Sequence, residues 1–321
     1  MVTVTDIGPD TGPDKSGHVS VLLTETVELL AVGPGGRYID CTFGGGGHSR
    51  EVLLRSNPDG QILAFDADPA AKSRAAIVQS EFPGRLTLVQ ANFAQLAGVA
   101  RSKSFVDVDG IMFDLGLSSF QFDEHDRGFS IHSDARLDMR LDPDADGPTA
   151  WDIVNTWEAD DIANVIFQYG DERRSRKIAR FIVDRRPIET NLELASVVEA
   201  AVGGRRGARI HPATKTFQAI RIAVNDELGA LRTALADAVE LTRPGGRIAV
   251  IAFHSLEDRI VKQFFNQEAR DCICPASFPV CNCDHKSTLR RVTRGGITPG
   301  DEEQHENPRS RSARLRVAER I

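Results

Sequence analysis

The segment Tyr38-Ile-Asp-Cys-Thr-Phe-Gly-Gly-Gly-Gly-His48 holds the densest chemical signal in this chain. A strand-like run leads into Gly44–Gly47, and helical spacing resumes at His48. Glycine lets a backbone turn tightly and lets a ligand approach the main chain closely. NAD, FAD, nucleotides and methyl donors are all held by such turns, so the glycines alone leave the ligand open. The side chains around them narrow the choice. Asp40 stands just before the glycines, where a carboxylate repels a pyrophosphate and suits a ligand bearing an ammonium and a sulfonium. Asp66 ends the next strand-like run, 22 residues after Gly44, and can accept two ribose hydroxyls. Asn92-Phe93 follows the third run and Asp114 the fourth, so Phe93 can pack on an adenine and Asp114 can lie beside a methyl group. Any one of these side chains could instead cap a loop or a helix. Four consecutive strand ends with matching chemistry point to S-adenosylmethionine. His48 either borders that donor or caps the helix, and no proton-carrying role is expected of it.

The elements that must position these groups are legible as short β-like runs. They are Arg37–Cys41, Gln61–Phe65, Leu86–Gln90 and Asp109–Phe113, with helix-compatible segments Leu22–Leu30 and Pro69–Ser80 between them. Alternation of strand and helix predicts βαβ units and a mostly parallel, doubly wound sheet. A fifth strand is expected at Arg247–Phe253, and Ala313–Val317 reads as a final edge strand. From Gly147 to Val202 the spacing is helical throughout: Trp151–Trp157, Ala159–Tyr169, Glu172–Arg186 and Leu192–Val202. Thr190-Asn-Leu-Glu193 has the form of a capping box for the last of these. One long helical tract is expected through Phe217, Ile220, Val224, Leu228, Leu231, Leu235 and Val239. The segment Cys272–Pro308 reads as a long loop.

A chain of 321 residues with 41% hydrophobic and 26% charged content can bury a sizeable core and has room for two domains. No apolar run approaches the roughly 18 residues that a membrane span needs. The first 17 residues are rich in Asp, Gly, Pro and Thr and read as a disordered tail, without the apolar stretch of a secretory signal. A cytoplasmic location with reduced cysteines is expected. The net charge of −7 hides an asymmetry. Met1–Gly170 carries 12 Lys+Arg against 26 Asp+Glu, and Asp171–Ile321 carries 27 against 20. The basic half can present a phosphate-binding face or simply a solvated one. Its clusters are Arg205, Arg206, Arg209, Lys215 and Arg221, and Arg173, Arg174, Arg176, Lys177 and Arg180 on a predicted helix.

Cys272-Ile-Cys274 and Cys281-Asn-Cys283 form two Cys-x-Cys pairs, with His285 nearby. Four thiolates could hold a structural zinc; free thiols or a disulfide fit the same spacing. Cys41, on a core strand, reads as packing.

The chain resembles the bacterial family that methylates the N4 amine of a cytosine in small-subunit (16S) ribosomal RNA. The residues that carry the resemblance run from about His18 to the end. They are Asp40–Ser49, Phe113-Asp-Leu-Gly-Leu-Ser-Ser119, Asp126-Arg-Gly-Phe-Ser130, Leu137-Asp-Met-Arg-Leu-Asp142, His211–Arg221, Phe253-His-Ser-Leu-Glu-Asp-Arg259 and Arg311–Val317. The resemblance implies a Rossmann-like class I methyltransferase sheet over residues 18–122 and 214–321, interrupted by an all-helical insert over 123–213 for substrate recognition. It implies S-adenosylmethionine as donor and the decoding region of 16S ribosomal RNA, in the small subunit, as substrate. Its donor-binding positions fall on Gly46, Gly47, His48, Asp66, Phe93, Asp114 and Gln121. Phe120 stands where many relatives have proline, and Gly45 lengthens the glycine run.

The sulfonium of such a donor is already a strong electrophile, so neither a protein nucleophile nor a catalytic metal is required. The protein must extrude the base and align its N4 with the S–CH3 bond. That amine is a poor nucleophile, and an acceptor for one of its hydrogens stabilises the charge that develops on it. Asp114 is the expected acceptor, with Ser118 and Ser119 close behind; a donor-binding role for Asp114 competes with it. His254 and Glu257-Asp-Arg259 either line the target pocket or cap and brace the helix that follows. Two other functions share parts of this pattern. A DNA amine methyltransferase would share the donor site, and a non-catalytic ribosome-assembly factor would share the fold. The helical insert argues against the first, and the intact Asp66, Asp114 and glycine loop argue against the second.

Overall fold

Strand-forming runs bounded by turns condense into one seven-stranded sheet in the computed structural model, which describes residues 20–117, 126–204, 210–275, 278 and 280–321. The expected tail therefore lies outside the described residues. The strands are β1 (Arg37–Asp40), β2 (Gln61–Asp66), β3 (Leu86–Gln90), β4 (Val108–Asp114), β5 (Thr242–Ala252), β6 (Leu289–Arg291) and β7 (Arg314–Arg320). Their order across the sheet is β3-β2-β1-β4-β5-β7-β6. The first five pair in parallel, and β7 joins antiparallel to β5 and to β6.

The central strands are apolar on both faces, which only a covered parallel sheet tolerates. In β2, Ile62 and Ala64 point to one core while Leu63 and Phe65 point to the other. Helices α1 (Leu23–Leu29), α2 (Gly47–Arg55) and α3 (Ala71–Glu81) cover the first face with Val27, Leu53 and Ala75. Helix α4 (Leu96–Ser102), with α10 (Glu227–Leu241) and α11 (Ser255–Glu268), covers the second with Leu96, Leu235 and Phe265. The expected Rossmann-like architecture is present.

Between β4 and β5 the chain leaves the sheet and forms α5 (Ala150–Thr156), α6 (Ala159–Gly170), α7 (Ser175–Val183), α8 (Asn191–Val202) and α9 (Thr214–Asn225). These helices close over a third core that includes Ile153, Ile166, Ile182 and Val198. Helix α9 gives Phe217 and Ile220 to that core and Ile222 to a small cluster with Leu228 and Leu256, so it spans the seam with the sheet domain. The capping box at Thr190 forms, with Glu193 N–H donating to the Thr190 hydroxyl. Among the described residues no helix is long and apolar enough to cross a membrane.

Three sequence expectations are corrected. The tract from Phe217 to Val239 is two helices, broken at Asp226, whose backbone is left-handed at φ 45°. Apolar spacing continues through the break, but Asn225 spends its side chain on the backbone of residues 139–141, and that tertiary tie overrides periodicity. Strand β7 is not the sheet edge, because β6 pairs outside it. The segment Cys272–Pro308 is not one loop: it contains β6 and a short helix α12 (Asp301–Glu306). Three residues of strand and six of helix are too short to show a period.

Candidate active site

Strand order reverses between β1 and β4, so the loops after these neighbours diverge and open a crevice at their carboxyl ends. The glycine turn follows β1 and Asp114 ends β4. A cavity of about 790 Å³ opens there, lined by Gly46, Gly47, His48, Asp66, Phe93 and Asp114 among others. The structure thus brings together six of the positions singled out in the sequence. Gln121, Ser118 and Ser119 lie outside the described residues.

The turn is built by local necessity. Gly46 has φ 82°, and a Cβ there would lie 2.6 Å from Phe43 Cζ. Gly46 is also the N-cap of α2, which places His48 inside the first turn and not at the cap. The Gly44 N–H donates to Asp66 Oδ2 at 2.8 Å, and Arg74 Nε donates to the Gly44 carbonyl at 2.7 Å. The Asp68 N–H donates to Asp66 Oδ1 at 2.9 Å. Both oxygens of Asp66 are thereby oriented, with lone pairs left for hydroxyl donors. Burial pushes the Asp66 carboxyl up to about 6, against those N–H donors and the Arg74 charge.

Asp40 does something other than the expected contact with a cationic ligand. It is buried beneath the turn, with Oδ2 accepting from the Ser49 hydroxyl at 2.7 Å and Oδ1 accepting from Thr42 N–H at 3.0 Å. Both oxygens serve the fold of the loop. Burial raises its carboxyl to about 6 despite those bonds.

Asp114 faces the cavity from the end of β4. Its N–H donates to the Thr42 hydroxyl at 2.6 Å, which ties the two strand ends together. Oδ2 lies 3.5 Å from His48 Nδ1, and Oδ1 is buried with no hydrogen-bond partner among the described residues. Burial, with Asp40 and Glu257 nearby, pushes this carboxyl well above the usual range. Phe93 is half-buried on the cavity wall and meets Phe113 edge-on at 5.9 Å. Asn92 is engaged in capping a 3-10 turn through the Ala94 N–H.

The opposite wall comes from the helical section and carries Ile131, Met139, Leu141 and Phe217. Two polar ties that sequence reading missed hold this wall, the first to the sheet domain and the second within the helical section. Arg127 lies 3.4 Å from the buried Asp68 and donates to the Leu141 carbonyl at 2.7 Å. Asn225 donates to the Met139 carbonyl and accepts from the Leu141 N–H, both at 2.8 Å. The Asp126–Ser130 and His211–Arg221 motifs were the available signal, but a motif does not show what its charges face.

Arg221, counted above among basic residues that could meet phosphate, is mostly withdrawn from solvent, its side chain 14% exposed. Its Nε and Nη2 fork onto the two oxygens of Glu227 at 2.7 and 2.8 Å. Glu257 lies beneath, accepting from Phe253 and His254 N–H, and His254 caps α11 by accepting from Glu257 N–H. Burial works to raise Glu257, and contact with His254 together with the Arg221 charge outweighs it and holds the carboxyl low. Glu227, His254 and Glu257 lie close enough to share a cation, but Arg221 already occupies Glu227, and backbone donors occupy Glu257. The cluster is a brace in the cavity wall.

These residues fit S-adenosylmethionine chemically: a buried carboxylate oxygen without a partner among the described residues, a preset ribose acceptor, a half-buried aromatic ring on the cavity wall and a glycine turn with close backbone. Residues 15–321 match the model of the MraW methylase family. The chain is 56% identical over 312 residues to ribosomal RNA small subunit methyltransferase H of Thermomicrobium roseum, covering 96% of this chain and 95% of that one. It is 54% identical over 304 residues to the protein of the same name from Dehalococcoides mccartyi, covering 95% and 86%. Among solved structures, a putative rRNA-methylase from Clostridium thermocellum matches with a TM-score of 0.43 and 13% identity, over 95% of this chain and all of that one. On the extent of the family match and the identity to these relatives, the chain belongs to the MraW methylase family.

Proposed function

We propose that this protein transfers a methyl group from S-adenosylmethionine to N4 of a cytosine in the decoding region of 16S ribosomal RNA. The observation that carries this reading is the cavity of about 790 Å³, whose one wall is the glycine turn and Asp114 and whose other wall is the apolar face of the helical section. A volume of this order holds a donor together with a flipped base. The family and the relatives' names support a ribosomal RNA substrate.

Bound there, S-adenosylmethionine supplies an electrophilic methyl group. The chain's own residues do the rest. Asp66, with both oxygens oriented by backbone N–H groups, accepts from the ribose hydroxyls. Phe93 packs on the adenine. Ile131, Met139, Leu141 and Phe217 keep water from the target base, which strengthens every polar contact inside. Asp114 Oδ1, the oxygen without a partner among the described residues, accepts an N4 hydrogen and stabilises the positive charge that develops on the amine. Ser118 and Ser119, close behind in sequence, support that acceptor, and Gln121 completes the donor site. The segment 123–213 serves substrate recognition. Within it Arg173, Arg174, Arg176, Lys177 and Arg180 are all exposed on or beside α7 and are the candidates for phosphate contact. The protein works in the cytoplasm, where the small subunits are.

The test is transfer of labelled methyl from S-adenosylmethionine to small subunits from cells lacking this protein, with naked ribosomal RNA and duplex DNA alongside. N4-methylated cytidine in subunit RNA is expected on nucleoside analysis. Label in DNA and none in RNA overturns the substrate while leaving the donor site standing.

A further inference from the structure

Residues 269–288 connect α11 to β6 without a helix or strand among the described positions. The base of this connection is tied down. The Ser287 hydroxyl donates to Asp271 Oδ1 at 2.7 Å, the Thr288 hydroxyl donates to Glu268 Oε2 at 2.6 Å, and His285 Nε2 lies 3.3 Å from the Gln267 carbonyl. Among the described residues, the tip has no such side-chain tie to α11. Ile273, Phe278 and Val280 are exposed by 42, 52 and 74%, so no hydrophobic core holds it. An extended connection of this length needs something else to fix it.

Four cysteines meet at that tip. The Sγ atoms of Cys272, Cys274, Cys281 and Cys283 all lie within 4.8 Å of one another. Cys281 and Cys283 are 3.6 Å apart, and Cys283 and Cys272 are 3.9 Å apart. A tetrahedral zinc–thiolate site with Zn–S bonds of about 2.3 Å has sulfur–sulfur edges of about 3.8 Å. One sulfur, Cys283, is nearly equidistant from two others that belong to different Cys-x-Cys pairs. That arrangement suits a shared centre and not two bonded pairs, in which each sulfur has one partner at about 2.05 Å. The Ile273 N–H points at Cys283 Sγ at 3.5 Å, the backbone donation that steadies a metal-bound thiolate.

We propose that Cys272, Cys274, Cys281 and Cys283 bind one structural Zn²⁺, which staples the connection between α11 and β6. The ion has four protein ligands, leaves no open position and takes no part in methyl transfer. Binding releases the thiol protons to solvent and involves no redox change.

The experiment is metal analysis of the full chain purified without chelator, with thiol titration in the native state. About one zinc per chain is expected, with none of the four exposed or half-exposed cysteines reacting quickly until a chelator is added. His285→Ala should keep its zinc, and the double variant Cys274→Ser, Cys283→Ser should lose it. Because the site lies outside the sheet, the double variant should keep the far-ultraviolet circular dichroism of the parent while the 269–288 segment becomes a site of proteolytic nicking. Replacement of zinc by Co²⁺ should give the thiolate charge-transfer and visible bands of a tetrahedral sulfur site. Zinc at background with four fast thiols overturns the proposal. So does a disulfide between any two of these cysteines in the native protein, or iron in place of zinc.

Discussion

His48 Nδ1 lies 3.5 Å from Asp114 Oδ2, while the Nε2 of the same ring lies 3.1 Å from the Val21 carbonyl oxygen. A carbonyl only accepts, so Nε2 carries hydrogen and donates to it. Oδ2 faces the His48 ring, and Oδ1 is the oxygen left for a substrate. Removing the carboxylate with Asp114→Ala should keep S-adenosylmethionine affinity within about threefold and lower turnover by about 10²–10⁴. Calorimetric titration and single-turnover transfer separate the two quantities. If affinity and turnover fall together, Asp114 holds the donor and is not the amine acceptor.

Asp66 ties donor affinity to pH. Its carboxyl titrates at about 6 in the folded, donor-free protein, against about 4 in an unfolded chain. The folded state therefore binds the extra proton between these values. The stability this group contributes is present below about pH 4 and is lost as pH rises through about 6. Ribose hydroxyls donate to the ionised form, so donor affinity should be flat above about pH 7 and fall as pH drops below 6, by up to tenfold per unit. The shift in melting temperature caused by S-adenosylmethionine should accordingly be larger at pH 7.5 than at pH 5. An Asp66→Asn protein should bind weakly at both pH values, with no such slope.

Arg221 and Glu227 form a largely buried pair, with side chains 14 and 13% exposed. Arg221→Met leaves Glu227 buried without its partner and should cost about 3–5 kcal/mol in urea unfolding. Glu227→Gln in the same protein should recover part of that loss. An exposed phosphate contact behaves otherwise: its removal lowers the salt dependence of RNA binding and leaves stability nearly unchanged. That second pattern is expected for Arg176→Ala and Lys177→Ala on the exposed face of α7.

Gly46 and Gly84 separate strain from collision. Both have positive φ, 82° and 73°. A Cβ on Gly84 meets nothing within 4 Å, whereas one on Gly46 strikes the Phe43 ring. Gly84→Ala should cost about 1–2 kcal/mol and leave donor affinity alone. Gly46→Ala should cost more and lower donor affinity by at least about tenfold, because Phe43 and the turn must move. Equal losses of affinity in the two variants would detach the Gly46 turn from the donor site.

Much of this protein is determined by short-range pattern. Runs such as Ile62–Phe65 are apolar at every position, and burial on both faces of a parallel sheet follows from that. The glycine turn after β1, and Asp66, Phe93 and Asp114 at or just beyond successive strand ends, are legible because the carboxyl ends of parallel strands are where ligands bind. The capping box at Thr190 is likewise local. What only the tertiary structure decides is which charges face each other. Asp40 braces its own loop because Ser49 returns to it from α2. Arg221 faces Glu227 and not solvent because a left-handed Asp226 turns the chain back between two helices of continuous apolar spacing. Strand β7 is covered because a three-residue strand, too short to announce itself, pairs outside it. The N–H of Leu22 donates to Glu303, 281 positions away. Local pattern sets which face of an element is buried, since burial depends on period alone; the partner of a buried charge depends on where distant elements cross, and no period encodes that.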